Sequence, residues 1–104
     1  MNTLDIFKAL SNQTRLNILK WLKEPEKHFS PQGLHIPEGG SFENSVCVGS
    51  ICEKAGISQS TVSSYLDMMQ RAGLLESARF GKWTYYRRSE EQIRELSEFI
   101  ANDL

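Results

Sequence analysis

The residues best suited to chemistry in this 104-residue chain are short hydrogen-bonding side chains that follow Gly56. They share one side of a helical pattern whose other side holds Val62, Leu66 and Met69 at i, i+4 and i+7. The polar side comprises Gln59, Ser60, Thr61, Ser63 and Ser64, then Asp67, Gln70 and Arg71. Short donors and acceptors near the start of a helix can read base edges in the DNA major groove. The alternative is a helical hairpin with a solvated serine face.

The cysteines are the candidate nucleophiles or metal ligands. Cys47 and Cys52 would lie about 140° apart around a helix, which is too far for one face. Cys52 shares an apolar stripe with Val48, Ile51 and Ala55, so we expect a small core residue. Cys47 would lie at a helix N-terminus, where the thiolate is favoured, and is therefore a candidate thiol sensor.

The histidines do not complete a catalytic or metal site in the sequence pattern. His28 and His35 could join Cys47 only if the loop that carries them folded back, and the alternative is solvent-facing side chains. A thiol enzyme needs a base positioned beside its cysteine, and the pattern supplies none. There is also no glycine-rich phosphate loop and no dense acidic cluster. We therefore predict no enzyme, no metal and no cofactor.

The polar row belongs to a predicted helix-turn-helix. The stripe that begins at Val48 predicts a first helix, which Gly56 ends, and Ile57 is the expected apolar plug of the turn. Ser58 is the expected N-cap of the second helix.

A β-hairpin is predicted directly after the second helix. Leu75, Ser77 and Arg79, and then Trp83 and Tyr85, alternate around Phe80-Gly81-Lys82. A hairpin in this position is a wing, and Arg79 and Lys82 at its tip could reach the backbone or minor groove of DNA. The alternative is a solvated turn.

Three further helices are expected. The first carries Leu4, Phe7 and Leu10 on one side, and the second, capped at Ser11 or Asn12, carries Leu16, Leu19 and Leu22, widened by Ile18 and Trp21. Arg15, in the first turn of the second helix, is expected to have a specific partner. The last helix is expected to be capped by Ser89, with Gln92 completing a capping box. Its stripe is Ile93, Leu96, Ile100 and Leu104, beside Phe99.

Length and composition bound the architecture. We predict one domain over 1–104, mainly α with a small β-hairpin, and a flexible insertion at about 23–45. Part of that insertion could form one short turn of helix, and an effector pocket is the alternative use of so long a loop. No apolar run is long enough to span a membrane, and the first residues lack a secretory signal, so a cytoplasmic protein is expected.

The net charge of −1 hides a strong asymmetry along the chain. Residues 71–88 have a balance of +4 from Arg71, Arg79, Lys82, Arg87 and Arg88 against Glu76, whereas 89–104 have a balance of −4. A local basic patch favours a phosphate-bearing partner. The alternative function is a winged helix that binds protein rather than DNA. Such a module should lack the cationic cluster or surround it with acids.

Three segments resemble the ArsR/SmtB family of winged helix-turn-helix repressors. They are FKALSNQTRLNIL, GISQSTVSSYLDMMQRAGLL and FGKWTYYRR. The resemblance implies a homodimer formed by the N- and C-terminal helices, which binds an inverted repeat in double-stranded DNA and is released by an effector. It implies DNA contacts from Ser58, Gln59, Ser60, Thr61, Ser63, Ser64, Tyr65, Arg79 and Lys82. Tyr65 stands where the family often has His.

The resemblance does not extend to a metal site. Metal-sensing members carry Cys-x-Cys at the start of the first helix of the helix-turn-helix, and here Gly49 replaces the second cysteine after Cys47. Other members bind zinc through the last helix, which contains no histidine here. The effector is therefore unknown, and Cys47 stays the one candidate sensor.

Overall fold

The structure is a computed structural model that describes residues 1–32 and 42–104. Within these ranges the helices are α1 Thr3–Leu10, α2 Gln13–Lys23, α3 Pro25–His28, α4 Val48–Ala55, α5 Gln59–Arg71 and α6 Glu90–Asp103. The strands are β1 Val46–Cys47, β2 Leu75–Phe80 and β3 Trp83–Arg88. They form an antiparallel sheet in the order β1-β3-β2. The predicted fold class, a mainly helical winged helix-turn-helix, is confirmed.

The first two helices meet at a corner where Asn12 caps the second helix. Asn12 accepts a hydrogen bond from the Arg15 backbone N–H at 3.0 Å, which confirms it as the N-cap of α2. The buried side of α1 is Ile6 and Ala9, which the sequence pattern did not single out. The apolar stripe that contains Leu4 and Phe7 lies on the exposed side. In α2 the buried residues are Ile18, Leu19 and Leu22, and Leu16 is half-buried.

The helix-turn-helix forms as the pattern predicts, except for its turn residue. Gly56 ends α4 in a left-handed conformation with φ of 68°, and its N–H donates to the Cys52 carbonyl at 3.0 Å. Val62, Leu66 and Met69 are completely buried, which confirms the inner side of α5. Ile57 is 36% exposed, so the prediction that it plugs the turn is wrong.

The predicted hairpin is two strands of a three-stranded sheet. Phe80 pairs with Trp83, so the turn is only Gly81-Lys82, and Phe80 belongs to β2 rather than to the turn. Gly81 supplies the positive φ, 64°, that so short a turn requires. Because Arg79 pairs with Thr84, the side chains of Leu75, Ser77 and Arg79 lie on the opposite face from those of Trp83 and Tyr85.

Strand β1 was missed by sequence reasoning. Val46 pairs with Tyr86 and is completely buried, and Cys47 pairs with Tyr85. The backbone N–H of Cys47 donates to Gln32 Oε1 at 3.0 Å. A two-residue strand has no detectable alternation, and its stability comes from β3 and Gln32, which are distant in sequence.

The last helix is capped by Ser89, as predicted, but the capping box is incomplete. Ser89 Oγ accepts from the Gln92 N–H at 3.3 Å. The Ser89 N–H, which Gln92 should have bonded, instead donates to the Leu74 carbonyl at 2.9 Å. Gln92 Oε1 is consequently buried without a hydrogen-bond partner among the described residues. Of the predicted stripe only Leu96 is buried, and Ile100 is 47% exposed.

The described part of the 23–45 segment is ordered against α2. It contains α3, whose Pro25 is buried, and Phe29 packs edge-on against Trp21 with ring centroids 6.4 Å apart. The single-domain prediction and the flexibility of the insertion stay predictions, and residues 33–41, with His35, lie outside the described residues. None of the helices in the described ranges is long and apolar enough to cross a membrane.

Replacing Gly56 with Ala should destabilise the fold by about 1–2 kcal/mol, because a Cβ is strained in the left-handed conformation. Gly49→Ala is the matched control: Gly49 lies in α4 with nothing within 4 Å of an added Cβ. That change should stabilise by up to about 1 kcal/mol. Urea unfolding at a fixed protein concentration measures both. Equal effects of the two substitutions would contradict the helix end at Gly56.

Candidate nucleic-acid interface

The first residues of α5 are organised by the hydroxyl of Ser58. Its Oγ accepts from the Thr61 N–H at 3.3 Å, and the Ser58 and Thr61 hydroxyls lie 2.8 Å apart. Ser60 Oγ is 3.3 Å from the same oxygen. The first of these contacts gives the Thr61 N–H, which has no acceptor within the helix, a hydrogen-bond partner, and it confirms Ser58 as the N-cap. Ser58 and Thr61 therefore have internal hydrogen bonds that compete with any external ligand.

A second set of α5 side chains is exposed and has no internal partner. The side chains of Gln59, Ser63 and Ser64 make no hydrogen bond to the described residues. Ser64 lies opposite Val62, Leu66 and Met69, Ser63 lies beside that buried side, and Gln59 is exposed because it is the first residue of the helix. An exposed row of amide and hydroxyl groups can donate and accept hydrogen bonds without first breaking any in the protein. Such groups are suited to base edges.

Tyr65 differs from the other residues for which the resemblance implies DNA contact. It is half-buried, and the guanidinium carbon of Arg15 lies 4.9 Å from the centre of its ring. Arg15 also donates from Nε to the Ala9 carbonyl at 2.7 Å. The expectation that Arg15 has a specific partner is met by these contacts. The partner residue itself could not be identified from spacing, because the contact joins α2 to α5.

The tip of the wing presents two cations. Arg79 Nε donates to the Gly81 carbonyl at 2.8 Å, which braces the turn, and Lys82 Nζ lies 5.1 Å from the centre of the Trp83 ring. Both residues are exposed. Neither is paired with a carboxylate in the described residues. Their positive charge is available to an external anion.

The basic patch inferred from the charge count is partly neutralised by ion pairs at the surface. Arg71, Arg87 and Arg88 form ion pairs with Asp67, Glu76 and Glu90, at 2.6, 3.0 and 2.8 Å respectively. Two of these acids, Asp67 and Glu90, lie just outside the counted window, so a window count could not register them. The positive field of the wing therefore comes mainly from its tip.

The wing is hydrogen-bonded to α5. Ser77 Oγ in β2 donates to Gln70 Oε1 in α5 at 3.1 Å. Tyr86 in β3 is also close to this helix: its burial, with a smaller effect from the Asp67 carboxylate, raises its pKa. These contacts join the strands of the wing to α5, so the polar helix face and the wing are held next to each other. Sequence spacing gave no signal for the Gln70–Ser77 bond.

The candidate sensor lies away from these contacts, at the start of α4. Cys47 occupies the N-cap position, is half-buried, and its Sγ is 3.2 Å from Ser50 Oγ. Cys52 Sγ contacts the Ile57 carbonyl at 3.3 Å and is also half-buried. His28 lies in α3, and His35 is outside the described residues. Residues 1–32 and 42–104 contain no group of three His, Cys, Asp or Glu side chains able to hold a metal ion.

Comparison with known proteins identifies a family model and relatives that this chain matches. Residues 42–77 match the family described as bacterial regulatory protein, arsR family. The chain is 46% identical, over the whole of both sequences, to the HTH-type transcriptional regulator YbzH of Bacillus subtilis. It is 29% identical to the arsenical resistance operon repressor of Escherichia coli, over 83% of this chain and 58% of the repressor.

A solved structure shares the architecture. The homodimeric winged helix-turn-helix DNA-binding domain of Mb0332 from Mycobacterium bovis is 26% identical, with a TM-score of 0.63. The similarity covers 94% of this chain and 73% of that one. The chain is thus a DNA-binding transcriptional regulator by class, and it belongs to the ArsR family.

Removing the α5 cap by Ser58→Ala should lower the free energy of unfolding by about 1 kcal/mol, because the Thr61 N–H loses its partner. Ser63→Ala is the control on the same helix, since that exposed side chain has no hydrogen bond to the described residues. It should change stability by less than about 0.5 kcal/mol. Thermal and urea unfolding measure the difference. Equal losses would contradict the division of α5 into capping and ligand-facing residues.

Proposed function

We propose that this regulator is a homodimeric repressor, not an enzyme, which binds an inverted-repeat operator in double-stranded DNA. The observation that carries the proposal is the set of exposed side chains at Gln59, Ser63 and Ser64 of α5, which make no hydrogen bond to the described residues and lie on a helix bonded to a wing with two exposed cations. A helix that presents free donors and acceptors can enter the major groove. The adjoining wing can then contact the flanking backbone or minor groove.

Different residues serve different parts of this contact. Gln59, Ser63 and Ser64 read base edges, with Ser60 beside them at the start of the helix. Ser58 and Thr61 hold the helix end, whose backbone N–H groups face an approaching phosphate. Arg79 and Lys82 contact phosphate or the minor groove. Arg71, which is paired with Asp67, contributes a weaker field at the other end of α5.

The dimer surface is the exposed apolar face shared by α1 and α6. The Phe7 and Phe99 rings, one from each helix, have centroids 6.5 Å apart and join the two faces. The exposed apolar residues around them are Met1, Leu4, Ile100 and Leu104. A 104-residue chain buries only a modest apolar core, so exposing this apolar face to water would lower its stability. A two-fold axis here would pair the helices of two copies.

Two-fold symmetry would match the symmetry of an inverted repeat. Recognition helices that enter successive major grooves on one side of B-DNA are about 34 Å apart. The Mb0332 domain is described as a homodimer, which supports the same assembly for this chain. Each dimer would present two polar helices and two wing tips, so the local cationic charge is doubled.

A protein-binding winged helix is the second candidate function. The pairing of Arg71, Arg87 and Arg88 with acids favours it, because a wing surrounded by carboxylates suits a protein partner better than a polyanion. Salt dependence separates the two functions. A DNA contact made by cations weakens steeply as salt rises, since bound counterions are released from the phosphates.

Release from DNA by an effector is a further hypothesis. Cys47 is the candidate sensor, because oxidation or binding of a thiophilic group there would act at the start of α4. A binding titration on the duplex, with and without a thiol oxidant, tests it. An unchanged affinity would remove the sensor role of Cys47 and leave the DNA-binding proposal intact.

Gln59→Ala and Ser63→Ala should relax sequence preference, because each removes hydrogen bonds to a base edge. We expect a cost of about 1–3 kcal/mol per substitution on the preferred duplex. Lys82→Ala should instead weaken binding to all duplexes alike. It should also lower the slope of the logarithm of the binding constant against the logarithm of the salt concentration by about one. Fluorescence anisotropy on a duplex selected in vitro and on a scrambled duplex, over a range of salt concentrations, measures both effects. Identical profiles for the two kinds of variant would contradict these roles.

Leu4→Glu should dissociate the dimer, because it places a charge in the apolar face of α1. Loss of a buried leucine side chain costs about 1.5–3 kcal/mol, so the dimer Kd should rise at least about tenfold. Ile57→Glu is the matched control, since Ile57 is an exposed apolar residue outside α1 and α6. Sedimentation equilibrium measures both. A dimer unaffected by Leu4→Glu would place the interface elsewhere.

A further inference from the structure

Arg15 joins three helices through one guanidinium group. From the first turn of α2 it donates Nε to the Ala9 carbonyl at 2.7 Å and Nη2 to the Lys8 carbonyl at 3.3 Å. Its guanidinium carbon lies 4.9 Å from the centre of the Tyr65 ring in α5. The backbone N–H of Arg15 is held by the Asn12 side chain, so the residue starts from a fixed position.

The contacts with α1 have a clear electrostatic reason. The last carbonyls of a helix have no intrahelical donors and carry the negative end of the helix dipole. A cation that bonds two of them, at Lys8 and Ala9, is therefore well placed. The flat face of the guanidinium group stays free to stack on an aromatic ring. Tyr65 provides that ring, so the same group is attached to α1 and α5 at once.

The position of Tyr65 makes this contact relevant to DNA. The residue directly follows Ser63 and Ser64 on α5, and its ring is half-buried against Arg15 rather than exposed with them. Helix α1, on the other side of Arg15, carries Leu4 and Phe7 of the proposed dimer surface. Arg15 is thus a polar connection between the helix at the dimer interface and the helix at the DNA.

We propose that Arg15 is a positioning residue, which locks α5 to α1 through Tyr65 and so sets the distance between the two recognition helices of the dimer. The inference rests on the proposed function, since it assumes a dimer on an inverted repeat. Tyr65 then serves to place the neighbouring serines and does not read a base itself. The apolar core maintains the fold, because Ile6, Val62, Leu66 and Met69 are fully buried without help from Arg15.

The distinguishing measurement is tolerance to half-site spacing. A duplex is first selected in vitro with the wild-type protein, and its spacer is then lengthened or shortened by one base pair. A rigidly spaced dimer should lose affinity sharply on both altered duplexes. Arg15→Met removes the donors and the charge but keeps a long side chain. Its affinity for the selected duplex should fall about 5- to 30-fold, while its affinities for the altered spacers fall much less.

The Tyr65 side of the contact gives a second, independent test. Tyr65→Leu should flatten the spacing dependence in the same way, and Tyr65→Phe, which retains the ring, should preserve it. The double variant Arg15→Met/Tyr65→Leu should be no worse than the poorer single variant, because both remove one interaction. Lys20→Met is the control, because Lys20 is an exposed cation of α2 with no hydrogen bond or ion pair to the described residues. It should leave the spacing dependence unchanged.

The outcomes separate this inference from the function on which it rests. If the wild-type protein selects no duplex, or selects one without two half-sites, the proposed function fails. If the wild-type protein loses affinity sharply on both altered spacers, and Arg15→Met and Tyr65→Leu lose affinity by the same factor, the positioning role is overturned. Thermal unfolding and the dimer Kd are measured for each variant. A loss of affinity that is the same on all spacers, with lowered stability, would show a structural role only.

Discussion

The burial of one side of α5 is the constraint on which the rest of the structure depends. Val62, Leu66 and Met69 are completely buried, and they fix the rotation of the helix about its axis. Because side chains are about 100° apart around a helix, this rotation turns Ser63 and Ser64 away from the core. Gln59 is exposed because it is the first residue of the helix. The polar side chains proposed to contact base edges therefore need no interactions of their own to be exposed. They lie outside the part of the helix that packs into the core.

The wing and the cap stabilise that arrangement from its two ends. Ser58 Oγ accepts from the Thr61 N–H in the first turn of α5, and the Gln70–Ser77 hydrogen bond attaches the hairpin near the other end. The direction of the wing is set by the sheet, in which β3 is held on both edges. Polar residues that touch DNA in the proposal are thus positioned by contacts that are separate from the DNA contacts. Substitutions of the two kinds should have separable effects.

Sequence periodicity was sufficient to predict the helix-turn-helix, the hairpin and the caps at Ser58 and Ser89, and to limit the cap of α2 to Ser11 or Asn12, because each depends on neighbours within a few residues. It failed where the deciding partner is distant. The capping box at Gln92 is incomplete because Leu74 takes the Ser89 N–H, and β1 exists because β3 and Gln32 bind it. The stacking of Arg15 on Tyr65 could not be identified for the same reason.

The charge pattern shows most clearly why local composition misleads. A stretch with a balance of +4 contains three arginines whose charges are matched by acids, two of which lie outside that stretch. The Arg71–Asp67 pair is exposed and adds little stability, whereas the Arg88 side chain is only 12% exposed and bonds Glu90 through two nitrogens. All three pairs reduce the positive field around the wing. Arg79 and Lys82, which have no carboxylate partner among the described residues, lie at the wing tip, where under the proposed function they would meet a phosphate backbone once α5 lies in a groove. An interface of this form makes electrostatic attraction depend on shape, because the two cations at the wing tip can approach an anionic surface closely only where that surface also accommodates α5.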